Sequence, residues 1–266
     1  MAKPAKFVIG GKPAQVGQFP WAVLTLRSDG SSCGGILLSQ RFVLSAAHCH
    51  EEGVSITRVR VGVTRVEGEE DDTYRVRGSR RSFKVGDPQV VEVSRAIVHP
   101  DYGKDSHGIT LNDLVLLELK TPVTFGPLVQ PICLPTGDEL DKGISTVMGW
   151  GVANNNDLSA PHVASQNHLQ WADLDILSDG ECTEAYKTIA SGIRLNPSLH
   201  LCAGRHAGVD SCSGDSGGPL IVRAGNGRRS RSYLVGVVSG GPACAQGWAG
   251  YYARVSSYLQ WINKYI

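Results

Sequence analysis

The stretch DSCSGDSGGP, residues 210–219, guides the interpretation of the whole chain. Its glycines permit tight backbone conformations and close approach of a ligand to the main chain, and Pro219 ends the turn before an apolar run. Such a stretch would present Ser216 on a rigid ledge, as a candidate nucleophile. An ordinary glycine-rich turn is the alternative, and the rest of the chain must distinguish the two.

Length and charge restrict the class of protein. A chain of 266 residues can bury a substantial core without disulfides or metals to staple it. Its 26 basic and 25 acidic side chains give no reason to expect nucleic acid or an anionic membrane as a partner. No apolar run approaches the length of a membrane span, and residues 1–6 lack the apolar stretch of a signal peptide.

The cysteines indicate an oxidising compartment, and hence a secreted, extracellular protein. Their irregular spacing contains no CxxC pair, which favours disulfides over a structural zinc site. Their number is odd, so one is left over, and spacing alone does not assign the pairs. The seven cysteines stand at positions 33, 49, 133, 182, 202, 212 and 244.

Short segments rich in Val, Ile and Leu, separated by Gly, Pro, Asp or Asn, predict two similar sets of six strands. The first set is 21–26, 36–38, 42–45, 59–63, 90–98 and 114–119. The second set, after a Pro-rich crossing, is 145–149, 169–177, 200–203, 220–222, 233–238 and 250–255. Helical spacing appears only at 178–189 and 256–266, so we expect an all-β protein of barrels or sandwiches.

A serine nucleophile needs a base to take its proton and a carboxylate to hold that base. His48 ends a predicted strand among small residues, beside Cys49, and Asp113 precedes a strongly apolar strand. A carboxylate in that position would be largely buried and would need a partner, for which an imidazole is suitable. Taken singly, His48 could be a structural histidine and Asp113 a strand cap.

Together with residues 210–219, these segments resemble the chymotrypsin-like serine proteases of the trypsin type. The match spans 8–266 and rests on motifs in a fixed order. These are Val8-Ile9-Gly10-Gly11, Gln18-Phe19-Pro20-Trp21, Ala46-Ala47-His48-Cys49, Asn112-Asp113-Leu114, Pro131-Ile132-Cys133-Leu134, Gly149-Trp150-Gly151 and Gly214-Asp215-Ser216-Gly217-Gly218-Pro219.

The resemblance implies two antiparallel six-stranded β-barrels with the active site between them and a C-terminal helix. It divides the chain into a residual pro-segment at 1–7, an N-terminal barrel at 8–125 and a C-terminal barrel with its helix at 126–266. It further implies an endopeptidase that works through an acyl-enzyme and needs no cofactor or metal.

The resemblance also assigns roles to the catalytic residues. Ser216 is the nucleophile, His48 the general base and then acid, and Asp113 the residue that orients His48. The backbone amides of Gly214 and Ser216 match the family's oxyanion hole. A side chain at position 214 would, on this reading, crowd the approaching carbonyl.

For disulfides, the resemblance pairs Cys33 with Cys49, Cys182 with Cys202, and Cys212 with Cys244. It leaves Cys133, which in two-chain relatives bridges to an N-terminal pro-region. We therefore expect an upstream segment linked through Cys133, with a free thiol as the alternative.

Asp210 matches the floor of the family's primary pocket, and Gly241 and Gly250 match its two small walls. A buried carboxylate at the end of an apolar slot favours Arg or Lys in the substrate, as in trypsin. Ser239 and Gly241 match the positions that pair with an extended substrate backbone. The family usually has tryptophan between them, where this chain has Gly240, so upstream selectivity should be weak or altered.

Activation in the family requires cleavage before the residue that matches Val8, whose new ammonium pairs with the matching carboxylate, Asp215. Residues 1–7 are therefore expected to keep the chain zymogen-like. Most trypsin-like zymogens have Arg or Lys before the cut, whereas this chain has Phe7. The departure indicates a chymotrypsin-like activator, an engineered junction, or trimming after Lys6.

The expected partners are protein or peptide substrates and protein protease inhibitors. We expect the protein itself to be a monomer. A catalytically silent relative that serves as a binding or adaptor module is the alternative. Two basic loops, 75–84 and 225–232, suggest a weaker third class that docks on a polyanion, although solvated insertions are the simpler interpretation. The acidic stretch 67–72 resembles a family calcium loop, but its ligands do not align and we expect a solvated loop.

Overall fold

The computed structural model describes residues 11–66, 73–75, 82–84, 88–151, 167–189, 193–204, 210–211, 214–242 and 247–266. The short apolar segments form strands, as the sequence predicts. In chain order the strands are β1 (Lys12–Pro13), β2 (Ala22–Arg27), β3 (Ser32–Leu37), β4 (Phe42–Ser45), β5 (Ile56–Val61), β6 (Thr73–Arg75), β7 (Ser82–Lys84), β8 (Gln89–Val98), β9 (Gly103–Lys104), β10 (Thr110–Leu111), β11 (Val115–Leu119), β12 (Gly143–Gly149), β13 (Gln170–Ile176), β14 (His200–Gly204), β15 (Pro219–Ala224), β16 (Arg231–Gly240) and β17 (Ala249–Arg254).

Six strands close the first barrel, in the order β11-β4-β3-β2-β5-β8, and all neighbours are antiparallel. Closure leaves no exposed strand edge within the barrel. Its central strand β11 has the sequence VLLEL, in which every residue except Glu118 is buried.

The second barrel follows the order β13-β12-β15-β16-β17-β14 and closes through the pairing of β13 with β14. The short strand β1 lies outside this ring and pairs antiparallel with β13, so that Lys12 faces Trp171. The expectation of two six-stranded antiparallel barrels is confirmed.

Each of the twelve predicted strands corresponds to a barrel strand, although most ends differ by a few residues. The short hairpins β6–β7 and β9–β10 were not predicted, because two or three residues carry no usable periodicity. The basic segment 75–84 begins in β6 and ends in β7 of one such hairpin.

The two predicted helices have different outcomes. Helix α1 (Asp179–Ile189) begins where the capping pattern predicts, because Ser178 Oγ accepts a hydrogen bond from the Glu181 N–H at 3.3 Å while the Glu181 carboxylate accepts one from the Ser178 N–H at 3.0 Å. The C-terminal helix is shorter than the predicted 256–266. Val255–Tyr258 forms a 3-10 turn, and only α2 (Leu259–Ile262) is α-helical.

The barrels meet through backbone as well as side chains. The Gly34 N–H of β3 donates to the Ser216 carbonyl at 2.7 Å. A β-carbon added to Gly34 would lie 2.6 Å from Gly218 Cα, so only glycine permits this approach. The contact brings the segment 214–218 of the second barrel against β3 and β4 of the first.

Candidate functional site

His48 and Asp113 form a directly connected pair at the edge of the first barrel. His48 lies in a 3-10 turn (Ala47–Cys49) immediately after β4, and Asp113 precedes β11, which is the neighbour of β4. His48 Nδ1 is 2.7 Å from Asp113 Oδ2, and the His48 backbone N–H donates to Asp113 Oδ1 at 2.9 Å. The carboxylate therefore holds both the ring and the main chain of His48.

Burial of this pair is asymmetric. The Asp113 side chain is 1 % exposed, whereas that of His48 is 26 % exposed. Burial by itself raises the pKa of Asp113, but the hydrogen bonds and charge of His48, together with the Ser239 hydroxyl, outweigh it and hold the pKa below its ordinary value. Asp113 is thus a charged carboxylate that accepts three hydrogen bonds, while the His48 side chain remains partly exposed.

Backbone geometry before Asp113 fixes its position. Asn112 has φ = 51°, a left-handed conformation that asparagine tolerates better than most residues. Its amide Nδ2 donates to the Asp101 carbonyl at 2.7 Å, and the Tyr258 hydroxyl contacts its Oδ1 at 3.3 Å. The tight turn at Asn112 therefore directs Asp113 toward His48 at the start of β11.

Ser239 supplies a third contact to Asp113 that sequence reasoning missed. Its Oγ donates to Asp113 Oδ2 at 2.5 Å, across 126 residues of sequence. The sequence assigned Ser239 to substrate binding through its main chain, and nothing in the local pattern indicated a side chain shared with Asp113. The hydroxyl links the second barrel directly to the carboxylate of the first.

Ser216 lies in a turn whose backbone is tied to both barrels. Its carbonyl accepts from Gly34 of the first barrel, and the following Gly217 N–H donates to the Val238 carbonyl of the second at 2.9 Å. Gly217 has φ = 75°, and a β-carbon there would lie 2.7 Å from the Gly34 carbonyl and would also collide with Ser45 Oγ. Ser45 is three residues before His48, so this turn packs against the segment that carries the imidazole.

The structure gives a second reason for glycine at position 214, besides the predicted crowding of a substrate carbonyl. It has φ = 95°, and a β-carbon at this position would lie 2.9 Å from Gly151 Cα. A side chain would therefore meet the neighbouring main chain, and the proposed crowding of a substrate carbonyl is not needed to explain the glycine. Gly217 likewise has a positive φ, a conformation that would be strained for a residue with a β-carbon.

Asp215 is fully buried next to the nucleophile candidate. Its Oδ1 accepts from the Gly151 N–H at 2.8 Å, and a β-carbon on Gly151 would lie 2.6 Å from the Asp215 Cγ. Glycines at 149 and 151 thus make the space that the carboxylate occupies. Val8, its predicted partner, lies outside the described residues.

Asp210, Gly241 and Gly250 come together as one cluster. Asp210 is 4 % exposed, and a β-carbon on Gly250 would lie 3.5 Å from its Oδ1. A β-carbon on Gly241 would in turn lie 3.5 Å from Gly250 Cα. Burial raises the pKa of the adjacent Tyr252, and the Asp210 carboxylate contributes to that shift. The structure thus places the buried Asp210 carboxylate next to Gly250, and Gly250 next to Gly241.

The cysteines divide as follows. The structure contains the disulfides Cys33–Cys49, beside His48, and Cys182–Cys202, which joins α1 to β14. Cys133 is half-buried and forms no disulfide with another described cysteine. Cys212 and Cys244, the third predicted pair, lie outside the described residues, as does the acidic stretch 67–72.

This geometry suits proton transfer to and from a hydroxyl. In the neutral tautomer that fits the contact, His48 Nδ1–H donates to Asp113 and Nε2 keeps its lone pair for a proton. The carboxylate stabilises the imidazolium that would form.

None of the described helices is long and apolar enough to cross a membrane.

Comparison with known proteins agrees with these observations. The family model described as Trypsin matches residues 8–262. Melanization protease 1 of Drosophila melanogaster is 36 % identical, over 97 % of this chain and 65 % of its own length. Venom serine protease Bi-VSP of Bombus ignitus is 35 % identical, over 95 % and 66 %, and the Spaetzle-processing enzyme of Drosophila melanogaster is 33 % identical, over 97 % and 66 %. The chain thus spans about two thirds of the length of these relatives.

Proposed function

Because the chain belongs to the trypsin family of serine proteases, we propose that it is a working endopeptidase that cleaves after Arg or Lys through an acyl-enzyme. The observation that carries the proposal is the buried Asp113 carboxylate, which holds His48 at 2.7 Å beside the turn that presents Ser216. A silent relative would have no need of a charged, buried carboxylate bound to a partly exposed imidazole.

In the proposed mechanism, Ser216 Oγ attacks the substrate carbonyl carbon while His48 Nε2 takes the hydroxyl proton. The tetrahedral oxyanion is stabilised by the backbone N–H groups of Gly214 and Ser216, each worth roughly a hundredfold to a thousandfold in rate. His48 then protonates the leaving amine, and the carbon–nitrogen bond breaks to leave an ester on Ser216. Water, deprotonated by His48, hydrolyses this ester and restores the hydroxyl.

The preference for Arg or Lys is proposed on the cluster of Asp210, Gly241 and Gly250. A guest cation would bring an opposite charge to the buried carboxylate, which an uncharged guest would not supply. Glycines at the walls leave room for a long side chain. An Asp210→Ser variant should lose most of its preference for basic residues. If it cleaves after Arg as selectively as the parent does, the assignment is wrong.

A second part of the proposal is activation by cleavage before Val8. Its support is the fully buried Asp215 beside Ser216, a position where a new ammonium would fix the pocket and the oxyanion donors together. Phe7 points to an activating enzyme that does not require a basic residue, or to trimming nearby. N-terminal sequencing of active material should find Val8. Full activity with Met1 still attached would contradict the mechanism.

Cys133 is proposed to link a pro-region to this domain. It is half-buried and pairs with no other described cysteine, and the relatives extend beyond the matched region. Secretion follows from the same disulfide chemistry. Peptide mapping of the natural precursor under non-reducing conditions should recover a peptide joined to Cys133, and an unmodified thiol would refute the linkage.

Labelling separates a working enzyme from a silent relative. An arginine-like phosphonate diester should attach covalently to Ser216 in activated protein, and mass spectrometry of the digested protein should locate it. Asp113→Asn protein is the matched control, since it keeps the hydroxyl and the pocket but weakens the base. Activated protein that takes no label at Ser216 would support the binding-module alternative.

A further inference from the structure

Gly240, at the end of β16, lies against the ring of Tyr251 in β17. They are cross-strand partners in the pairing of β16 with β17, and therefore project to the same face of the sheet. A β-carbon on Gly240 would lie 2.6 Å from the Tyr251 hydroxyl, 2.8 Å from Cζ and 3.0 Å from Cε1. The phenol ring thus occupies the volume that a side chain at 240 would enter.

The Tyr251 ring is held by neighbours rather than inserted loosely. It makes edge-to-face contacts with His200 at 5.4 Å and with Tyr186 at 6.0 Å between ring centroids. It belongs to an apolar cluster that includes Ile109 and the Cys182–Cys202 disulfide. Only 8 % of Tyr251 is exposed, so the ring lies level with the surrounding surface and does not project into solvent.

His200 connects this ring to the β9–β10 hairpin, which precedes Asp113 and β11 of the first barrel. Its Nδ1 accepts from the Asn196 N–H at 3.2 Å, so its other nitrogen, Nε2, carries a proton and donates to the Thr110 carbonyl at 2.8 Å. Thr110 is 7 % exposed and lies in β10, three residues before Asp113. Tyr251, Thr110 and Ile109 therefore form one packed surface between the two barrels.

We propose that Tyr251, in place of any side chain at residue 240, forms the aromatic floor that selects the substrate side chains upstream of the cleaved bond. The inference rests on the proposed protease function. A peptide extended along Ser239, Gly240 and Gly241 would lay those side chains over Tyr251 and Thr110. Burial raises the pKa of the Tyr251 phenol, and the negative charges of Asp113 and Asp105 add to that shift. Because Asp113 also accepts from the Ser239 hydroxyl next to Gly240, the site favours an apolar or basic upstream side chain and disfavours an acidic one.

The test is a substrate library with Arg fixed before the cleaved bond and the three upstream residues varied. The parent should prefer apolar or basic over acidic upstream residues by tenfold or more in kcat/KM. Tyr251→Val should reduce that ratio at least threefold while Arg remains preferred before the bond. Tyr251→Phe, which keeps the ring, should retain the ratio. An unchanged ratio in Tyr251→Val would show that the ring only packs the interior.

Two glycine variants test the shared volume. Gly240→Ala should lower kcat/KM tenfold or more, because its new methyl meets the phenol, and Tyr251→Val in the same chain should restore at least half of the loss on a logarithmic scale. Gly126→Ala is the matched control, since nothing lies within 4 Å of its added β-carbon. If kcat/KM of the double variant does not exceed that of Gly240→Ala, the shared volume is refuted.

Failure of this inference is distinguishable from failure of the protease function. If the proposed function is wrong, the parent cleaves no member of the Arg library and Ser216 takes no phosphonate. If only the role of Tyr251 is wrong, the parent cleaves after Arg and takes the label, but the upstream profile does not respond to Tyr251→Val.

Discussion

The His48–Asp113 pair and the turn of Ser216 are built from opposite kinds of residue. The pair depends on what side chains supply: a buried carboxylate receives three hydrogen bonds, two from His48 and one from Ser239. The turn depends on what side chains leave out, because Gly214 and Gly217 have positive φ and press against other backbone. One half of the site is therefore specified by charge, and the other half by the absence of side-chain atoms.

The pair should break most severely when its charge is removed. Asp113→Asn keeps the shape of the side chain but cannot stabilise an imidazolium, and it favours the wrong tautomer of His48. We expect kcat to fall by about 10⁴-fold with little change in KM. Steady-state kinetics on an Arg substrate, corrected for active protein by circular dichroism, measures the effect.

Ser239→Ala removes the one of these three hydrogen-bond donors that comes from the second barrel. We expect a loss in kcat of roughly tenfold, which corresponds to a net hydrogen bond of about 1.5 kcal/mol to a charged group. A loss as large as that of Asp113→Asn would mean that Ser239 acts on the chemistry in another way.

The turn should break through sterics instead. Gly217→Ala puts a β-carbon 2.7 Å from the Gly34 carbonyl at a residue with φ = 75°, and we expect a loss of about 3 kcal/mol in the free energy of unfolding. Gly30→Ala is the matched control, since Gly30 has φ = 83° but nothing within 4 Å. It should cost only about 1 kcal/mol. If denaturant unfolding gives equal losses in the free energy of unfolding for both variants, the close approach is refuted.

A smaller effect concerns His200, which donates to the Thr110 carbonyl three residues before Asp113. Burial lowers the pKa of His200, so the ring is neutral in the folded protein while the unfolded chain takes up a proton at its ordinary pKa. Its contribution is therefore complete above about pH 6.5 and is lost as the pH falls below that value.

His200→Gln keeps a side-chain donor but does not titrate. Between pH 6.5 and 5 its unfolding free energy should fall less steeply than that of the parent, by at most about 1.4 kcal/mol per pH unit. The exposed His107, replaced in the same way, is the control. Parallel curves for His200→Gln and the parent would show that this ring does not set the acid sensitivity.

Much of this molecule is predictable from its sequence, because short apolar segments and glycine or proline punctuation repeat along both halves. The twelve barrel strands follow from that pattern, and Ser178 with Glu181 marks the start of α1. The C-terminal helix was predicted too long, since apolar spacing alone does not distinguish a 3-10 turn from a helix.

The site was predictable in its residue types but not in its contacts. His48 and Asp113 are recognisable because titratable residues stand among small or apolar ones, whereas Asp210 was assigned only through the family resemblance. The hydroxyl of Ser239 on Asp113 and the Tyr251 ring under Gly240 join residues by barrel closure and strand register, which local pattern does not encode. Gly217 was expected in a turn, but its neighbour Ser45 belongs to the other barrel.

The most direct test of the account compares kcat/KM for matched peptides that end in Arg, Lys, Phe or Ala before the cleaved bond, using protein shown to begin at Val8. We expect Arg and Lys to exceed Phe and Ala by roughly 10³-fold or more, because a basic side chain brings an opposite charge to the buried Asp210 carboxylate. Preference for Phe or Ala, or no cleavage of any of the four by protein that begins at Val8, would contradict it.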